Sequence, residues 1–140
     1  MCLFSIIGDE PKVAEEDIVV YKMLDTFVTL DGGTGYRTPY YNYYLSFNKR
    51  GSVTMRAKMR PQVYGNGVQA RIERGIHAFR KEAKASNVAS QYIWTHVFKA
   101  VIPAGTRYYE GDTEDIVADK MIVFRDEDAY GKYKGAEKKG

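Results

Sequence analysis

The segment IPAGTRYYEGDTEDIVADKMIVF, Ile102–Phe124, indicates how this chain folds, because apolar runs in it are separated by turn-forming residues. Pro103 and Gly105 end the preceding apolar run, HVFKAVI, and the tyrosines that follow favour a short strand. The acidic stretch EGDTED then separates this strand from a last one, DIVADKMIVF. The segment therefore predicts strands joined by polar turns.

The acidic turn also raises the alternative of a metal site, since it holds four carboxylates: Glu110, Asp112, Glu114 and Asp115. A calcium-binding EF-hand loop has a twelve-residue spacing with a closing glutamate, which EGDTED lacks. A polar turn between two apolar strands is expected in any case, because loops are solvated. We interpret the carboxylates as turn residues and predict no metal or other cofactor.

Alternating apolar and polar residues predict further strands upstream. Ser52–Arg60 has the clearest period of two, and Val68–Glu73 alternates again after a Gly-Asn-Gly turn. Asp17–Leu24 and Tyr40–Phe47 are predicted strands because of their β-branched and aromatic content. Ser52–Arg60 and Val68–Glu73 together predict an antiparallel hairpin whose solvated face carries a basic row. The row consists of Arg56, Lys58, Arg60 and Arg71.

The remaining segments predict one helix, one loop and a tail. Ala78–Ile93 has apolar residues at helical spacing, residues 31–39 are rich in glycine, and residues 126–140 are polar without an apolar period. We expect the last of these to be disordered. The predicted fold class is α+β, a mainly antiparallel sheet with one principal helix packed on it, in a single domain over residues 1–125.

The composition is that of one folded domain, with 140 residues of which 44% are hydrophobic. Cys2 is the only cysteine, which excludes an internal disulfide and a multi-cysteine metal site and favours a reducing compartment. The apolar start lacks the basic region of a signal peptide, and no segment approaches the ~20 apolar residues of a membrane helix. We expect a soluble protein that is not exported and has no membrane partner.

The net charge of +3 is distributed unevenly. Residues 51–100 contain nine Lys or Arg against two Glu, a net +7, whereas residues 1–50 and residues 101–140 each carry −2. This pattern favours either an anionic partner or electrostatic matching between segments of the chain, and the sequence leaves both open.

Two histidines, His77 in RGIHAF and His96 in WTHVF, could serve as general acid and base near neutral pH. Neither has a Cys or clustered carboxylates at ligand spacing, so packing or hydrogen bonding is the better interpretation. The glycines of DGGTGYRTP likewise lack the helix and the Gly-Lys-Ser/Thr of a phosphate loop. These motifs predict no catalytic residue.

Three segments, KVAEEDIVVYKML, RGIHAF and VFKAVIPAGTRYYEGDTEDIVADKMIVF, together resemble a family of uncharacterised small proteins of tailed bacteriophages and gut-bacterial prophages. The three segments make up about a third of the chain and stand in matching order. It implies a phage or prophage origin, and therefore the cytoplasm of a bacterial host cell, but no specified reaction. The basic row lies outside the resembling segments.

The leading hypothesis is a non-enzymatic phage accessory protein that binds a host protein or an anionic ligand, such as a nucleotide or nucleotide signal, in a counter-defence role. The basic row would hold the anion, and two tyrosines would stack on bases. The predicted contacts are Arg56, Lys58, Arg60, Arg71, Tyr41 and Tyr43. Binding of nucleic acid and formation of a homo-oligomer stay open.

Two alternatives belong to other functional classes. GTRYYEGDTED is loosely similar to the glutamate-bearing turn of ADP-ribosyltransferases, which implies that Arg37 with Glu110 or Glu114 handles a dinucleotide. The Ser-Thr-Ser strand of those enzymes is absent, and Lys22 stands where their first-strand arginine would be. The other alternative is a virion structural or cargo protein, with subunit contacts from the tyrosine-rich segment and the apolar start.

Overall fold

The computed structural model of the chain describes residues 3–4, 11–39, 44–63, 70–111 and 114–139. Within these residues the chain forms thirteen strands and two helices. The strands are β1 (Leu3–Phe4), β2 (Lys12–Val13), β3 (Ile18–Val28), β4 (Thr34–Arg37), β5 (Tyr44–Leu45), β6 (Ser52–Arg56), β7 (Arg60–Val63), β8 (Ala70–Arg74), β9 (Ile76–Phe79), β10 (Thr95–Ile102), β11 (Arg107–Glu110), β12 (Asp115–Ala118) and β13 (Lys120–Phe124). The helices are α1 (Glu82–Ala89) and α2 (Glu127–Lys139).

Ten of these strands form one antiparallel sheet in the order β2-β11-β12-β9-β3-β10-β13-β6, with β4 paired to β3 and β5 to β4. A second sheet has the order β1-β8-β7 and is also antiparallel. The prediction of an α+β fold with a mainly antiparallel sheet is thereby confirmed at the level of fold class. The described residues contain two helices, where the sequence predicted one principal helix.

The large sheet curls around its core. β9, β3 and β10 separate β12 from β13 in the sheet, yet Asp119 alone connects β12 to β13 in the sequence. Side chains from both halves of the sheet accordingly pack in one buried cluster, for example Met55 and Met121 with Ile116 and Ala118. We call this side of the sheet its inner face.

Asp119 holds the two halves of the curled sheet together. Its carboxylate accepts hydrogen bonds from the Met59 backbone N–H at 2.8 Å and from Arg107 Nε at 2.8 Å. Its backbone carbonyl accepts a third from the Ala57 N–H at 3.0 Å, and its own N–H donates to the Arg107 carbonyl at 3.1 Å. The connection after β6 is thereby fixed to the neighbourhood of β11.

Both helices cover the outer face of the sheet. α1 buries Ala85 and Ala89 against Met23 and Phe79. α2 buries Ala129 against Val101 and Phe124, with two tyrosines, Tyr130 and Tyr133, packed at the edge of the same cluster. The apolar outer face explains why the short helices are stable, since helices of this length rely on tertiary packing.

The predicted helix Ala78–Ile93 is wrong at both ends. Ile76–Phe79 is strand β9, which is buried throughout and pairs with β12, so α1 begins at Glu82 and ends at Ala89. The predicted loop of residues 31–39 likewise contains strand β4, which pairs with the end of β3. β9 forms because pairing with a strand distant in the sequence overrides local propensity, whereas β4 pairs with the strand that directly precedes it in the chain.

The predicted disordered tail differs from the structure, because residues 127–139 form α2. Asp126 accepts a hydrogen bond from the Ala129 N–H at 2.9 Å and so caps the start of the helix. Tyr133 donates from its hydroxyl to Asp17 Oδ2 at 2.8 Å. Among the side chains that the structure describes in this helix, three pack on the sheet, Ala129, Tyr130 and Tyr133, which are too few for a recognisable period.

The predicted hairpin of Ser52–Arg60 with Val68–Glu73 is divided in the structure. β6 pairs with β13 in the large sheet, and only β7 pairs with β8. The connection between β6 and β7 leads from the large sheet to the second sheet. Met59 in this connection is buried with Tyr109 and Val117. A period of two cannot show where a strand changes partners.

Candidate functional site

The structure divides the predicted basic row between the two sheets. Arg56 is the last residue of β6, and Lys58 lies in the connection that follows; both are exposed. Arg60 and Arg71 lie on β7 and β8 of the second sheet. The two predicted stacking residues, Tyr41 and Tyr43, lie outside the described residues.

Arg56 has a basic neighbour that sequence reasoning missed. Lys120, the first residue of β13, lies directly opposite Arg56 in the β6–β13 register. Side chains at such positions have Cβ atoms about 4.5–5.5 Å apart, and like charges there repel. On the second sheet, the backbone register pairs Arg60 of β7 with Arg74 of β8.

We call the cationic residues along β6 and its flanks the basic edge; they are Lys49, Arg50, Arg56, Lys58 and Lys120. All are exposed except Lys120, which is half-buried. Asn48 holds the turn before β6, because its Oδ1 accepts from the N–H groups of Arg50 at 2.9 Å and Ser52 at 3.1 Å. Within the described part of the chain, no carboxylate forms an ion pair with any residue of the basic edge.

Electrostatic matching within the chain explains other parts of the basic middle segment. Elsewhere in the described ranges, eight cations lie 3.9 Å or less from a carboxylate oxygen: Lys12, Arg37, Arg80, Lys81, Lys99, Arg107, Arg125 and Lys132. Arg80, Lys81 and Lys99 belong to residues 51–100 and pair with acidic residues of the C-terminal segment. Hydrogen bonds to Glu114 and Glu127 raise the pKa values of Lys81 and Lys99, respectively. No described carboxylate is such a partner for the basic edge.

The acidic turn is occupied by ion pairs. Glu110 lies 3.5 Å from Lys12 and 3.9 Å from Arg80, and Glu114 lies 2.8 Å from Lys81. In the residues that the structure describes, no three His, Cys, Asp or Glu side chains are grouped so that they could hold a metal ion. The described carboxylates of the turn therefore act as partners for nearby cations.

The residues of the enzyme alternative are dispersed. Arg37 lies on β4 and its Nε is 3.5 Å from Asp25 Oδ2, whereas Glu110 lies on β11, with β12 and β9 between β11 and β3. The two histidines are also apart: His77 is buried on β9, and His96 is exposed on β10, with β3 between them. This geometry does not assemble a pair of catalytic groups from these residues.

Lys22 is a buried cation on the inner face. Only 7% of its surface is exposed, and its Nζ donates to the backbone carbonyl of His77 at 2.8 Å. β9 pairs with β3 only at Tyr21 and Phe79 among the described residues. The lysine therefore provides a hydrogen bond to the His77 carbonyl, which lies outside this short ladder. Burial lowers the pKa of Lys22 to about 8. Its location is that of a structural group rather than a contact for a surface ligand.

A groove of about 560 Å³ opens beside β4 and β5, and its walls include Phe27, Tyr36, Tyr44, Phe47 and Arg125. Its rings meet edge to face, with centroids 5.8 Å apart for Phe27 and Tyr44 and 4.8 Å apart for Tyr36 and Phe47. Arg125 Nε lies 3.2 Å from Asp126 Oδ2. The groove therefore offers aromatic surface, but the charge at its wall is already paired.

Large apolar residues are exposed at the end of β3 and just after it, on β5, and in the segment before β10; the Thr26 N–H donates to the Trp94 carbonyl at 2.9 Å and so places that segment beside β3. We call this group the apolar end; it consists of Val28, Leu30, Tyr44, Tyr92, Ile93 and Trp94. Exposed apolar residues that lie next to one another mark surfaces for contact with other proteins.

No family model, curated protein or solved structure matches this chain. Neither helix of the described residues has the length and apolarity that crossing a membrane requires. The acidic turn and the groove have charges that are already paired, whereas the cations of the basic edge have no described carboxylate partner. Among the features of the described surface, the basic edge is thus the strongest indication of a ligand site.

Proposed function

We propose that this protein binds an anionic partner through the basic edge and has no catalytic role. One observation carries the proposal: Arg56 and Lys120 are directly opposed on neighbouring strands, and no described carboxylate pairs with either. An anion placed between them replaces their repulsion with two attractions. The remaining cations of the basic edge extend the same positive surface along β6.

The biological setting is proposed from the sequence. The three segments that resemble proteins of phages and prophages support an accessory role in a bacterial host. An anion-binding surface without catalytic groups suits a protein that captures a host protein or a nucleotide signal, as a counter-defence protein would. Capture requires affinity and not turnover.

The effect of one charge reversal on anion binding tests the proposal. Labelled decaglutamate, a single-stranded thymidine decamer and linear polyphosphate serve as probes, with a panel of mononucleotides as competitors. Arg56→Glu is expected to weaken the tightest of these complexes at least about tenfold, because it removes one attraction and adds one repulsion. It is expected to leave stability unchanged or slightly higher, because glutamate opposite Lys120 forms a favourable cross-strand pair.

Lys84→Glu is the matched control, since it makes the same change in net charge at a residue of α1 that has no ion pair among the described residues. We expect it to change the affinity by less than about twofold, in accordance with screening of distant surface charges. Equal effects of the two substitutions, or no binding of any probe, would contradict the proposal.

The second candidate, a virion structural or cargo protein, would use the apolar end. Six apolar side chains with substantial exposure favour a contact between subunits there. Such a role requires the chain to associate with itself or with particle proteins, whereas binding at the basic edge has no such requirement. Self-association of the purified protein therefore discriminates between the two.

A further inference from the structure

β6 is the last strand of the large sheet, so one of its sides faces away from every strand in the sheet order. The register shows which of its backbone groups point that way. The Ala57 N–H donates to the Asp119 carbonyl, and the Arg125 N–H donates to the Gly51 carbonyl. Hydrogen-bonded pairs alternate along an antiparallel ladder, so Val53 and Met55 also bond to β13.

The residues between them, Thr54 and Arg56, therefore direct their N–H and C=O groups away from β13. No hydrogen bond of these four groups to another described residue is recorded, and both side chains are exposed. Ser52 differs, because Asn48 bonds to both its N–H and its carbonyl. The open part of the edge is thus Thr54–Arg56, with cations before and after it.

We infer that an extended acidic segment of a partner protein adds to β6 as a further strand, with an acidic side chain opposite Arg56. This inference rests on the proposed function and names the class of partner. Backbone hydrogen bonds to Thr54 and Arg56 would fix the segment on the edge, as in other complexes formed by strand addition. The basic edge would select for acidic residues along the segment.

An acidic peptide fits this edge better than the other occupants do. A second copy of the chain would bring its own basic edge against this one, and cations on an edge strand oppose such pairing. A nucleic acid would satisfy the charges, but it has no alternating peptide N–H and C=O groups to pair with Thr54 and Arg56. Only an acidic peptide uses both the charge and the open backbone.

Methylation of the peptide backbone separates strand addition from charge attraction and leaves the protein unaltered. The probe is a ten-residue peptide of alternating Glu and Thr. One derivative is N-methylated at each Glu and the other at each Thr, so their charges are identical. With a Glu opposite Arg56 in a hydrogen-bonded pair, the N–H groups of the Glu residues point toward β6. The N–H groups of the Thr residues then point away from it.

We expect methylation at Glu to weaken binding at least about tenfold and methylation at Thr to change it less than about threefold. Equal affinities of the two derivatives would overturn strand addition while leaving anion binding by the basic edge intact. Tighter binding of the thymidine decamer together with equal peptide affinities would identify the edge as a nucleic-acid surface, which also overturns the inference. If no anionic probe binds, the proposed function fails, and the inference fails with it.

Discussion

Replacing Gly75 with alanine is expected to lower the free energy of unfolding by about 3 kcal/mol. Gly75 joins β8 to β9 with φ of +143°, a conformation that residues with a side chain rarely adopt. A Cβ at this position would lie 2.5 Å from Val117 Cγ2 and 3.0 Å from Met59 Cγ. Both neighbours are buried, so the substitution adds a clash to the backbone strain.

Chemical denaturation measures this effect, with Gly131→Ala as the control. Gly131 lies in α2, where an added Cβ meets nothing within 4 Å, and alanine there is expected to raise stability by about 0.5–1 kcal/mol. The free energy of unfolding is expected to change in opposite directions at the two glycines because their surroundings differ. A Gly75→Ala protein as stable as the wild type would show that the link between the two sheets is described wrongly.

We expect the free energy of unfolding of the wild type to rise in alkaline solution, and we expect the Lys22→Met substitution to remove this rise. Folding lowers the pKa of Lys22 from 10.5 to about 8, because burial disfavours its charged form. Below about pH 8 the lysine is charged in both states, and folding bears the full cost of burying it. Between about pH 8 and pH 10.5 the unfolded chain binds more protons, so the free energy of unfolding rises with pH, by about 3 kcal/mol in total.

Denaturation of both proteins between pH 7 and pH 10 tests this expectation, and comparing them cancels the contribution of the tyrosines. The wild type should gain about 2–3 kcal/mol relative to Lys22→Met over this range, mostly above pH 8. Near pH 7 the two should be of similar stability, because the variant loses the hydrogen bond to His77 but no longer buries a charge. Parallel pH profiles would contradict the burial of a charged Lys22.

The residue content of apolar and β-branched runs was enough to predict several strands and the fold class. β3, β10 and β11 fall where apolar and β-branched runs predicted them, and the acidic turn lies between β11 and β12. These elements carry their signal in their own residues. The bounds of helix α1, strand β9 and helix α2 do not, because each depends on a surface supplied by distant residues.

The candidate site was predictable only in part for a related reason. Arg56 and Lys58 were identified because a period of two places them on a solvated face. Lys120 was missed, because its position opposite Arg56 depends on the pairing of β6 with β13 and not on β7 or β8. β6 and β13 are neighbours in the strand order of the sheet, and neither composition nor local period encodes that register.

Amide hydrogen exchange at β6 tests the central claim most directly. With the protein saturated by the alternating Glu-Thr peptide, we predict slower exchange at the N–H groups of Thr54 and Arg56, which face the open edge. Exchange at Val53 and Met55 should change little, since the ladder with β13 already protects them. Unchanged exchange at Thr54 and Arg56 in the saturated complex would contradict binding of an acidic strand at the basic edge.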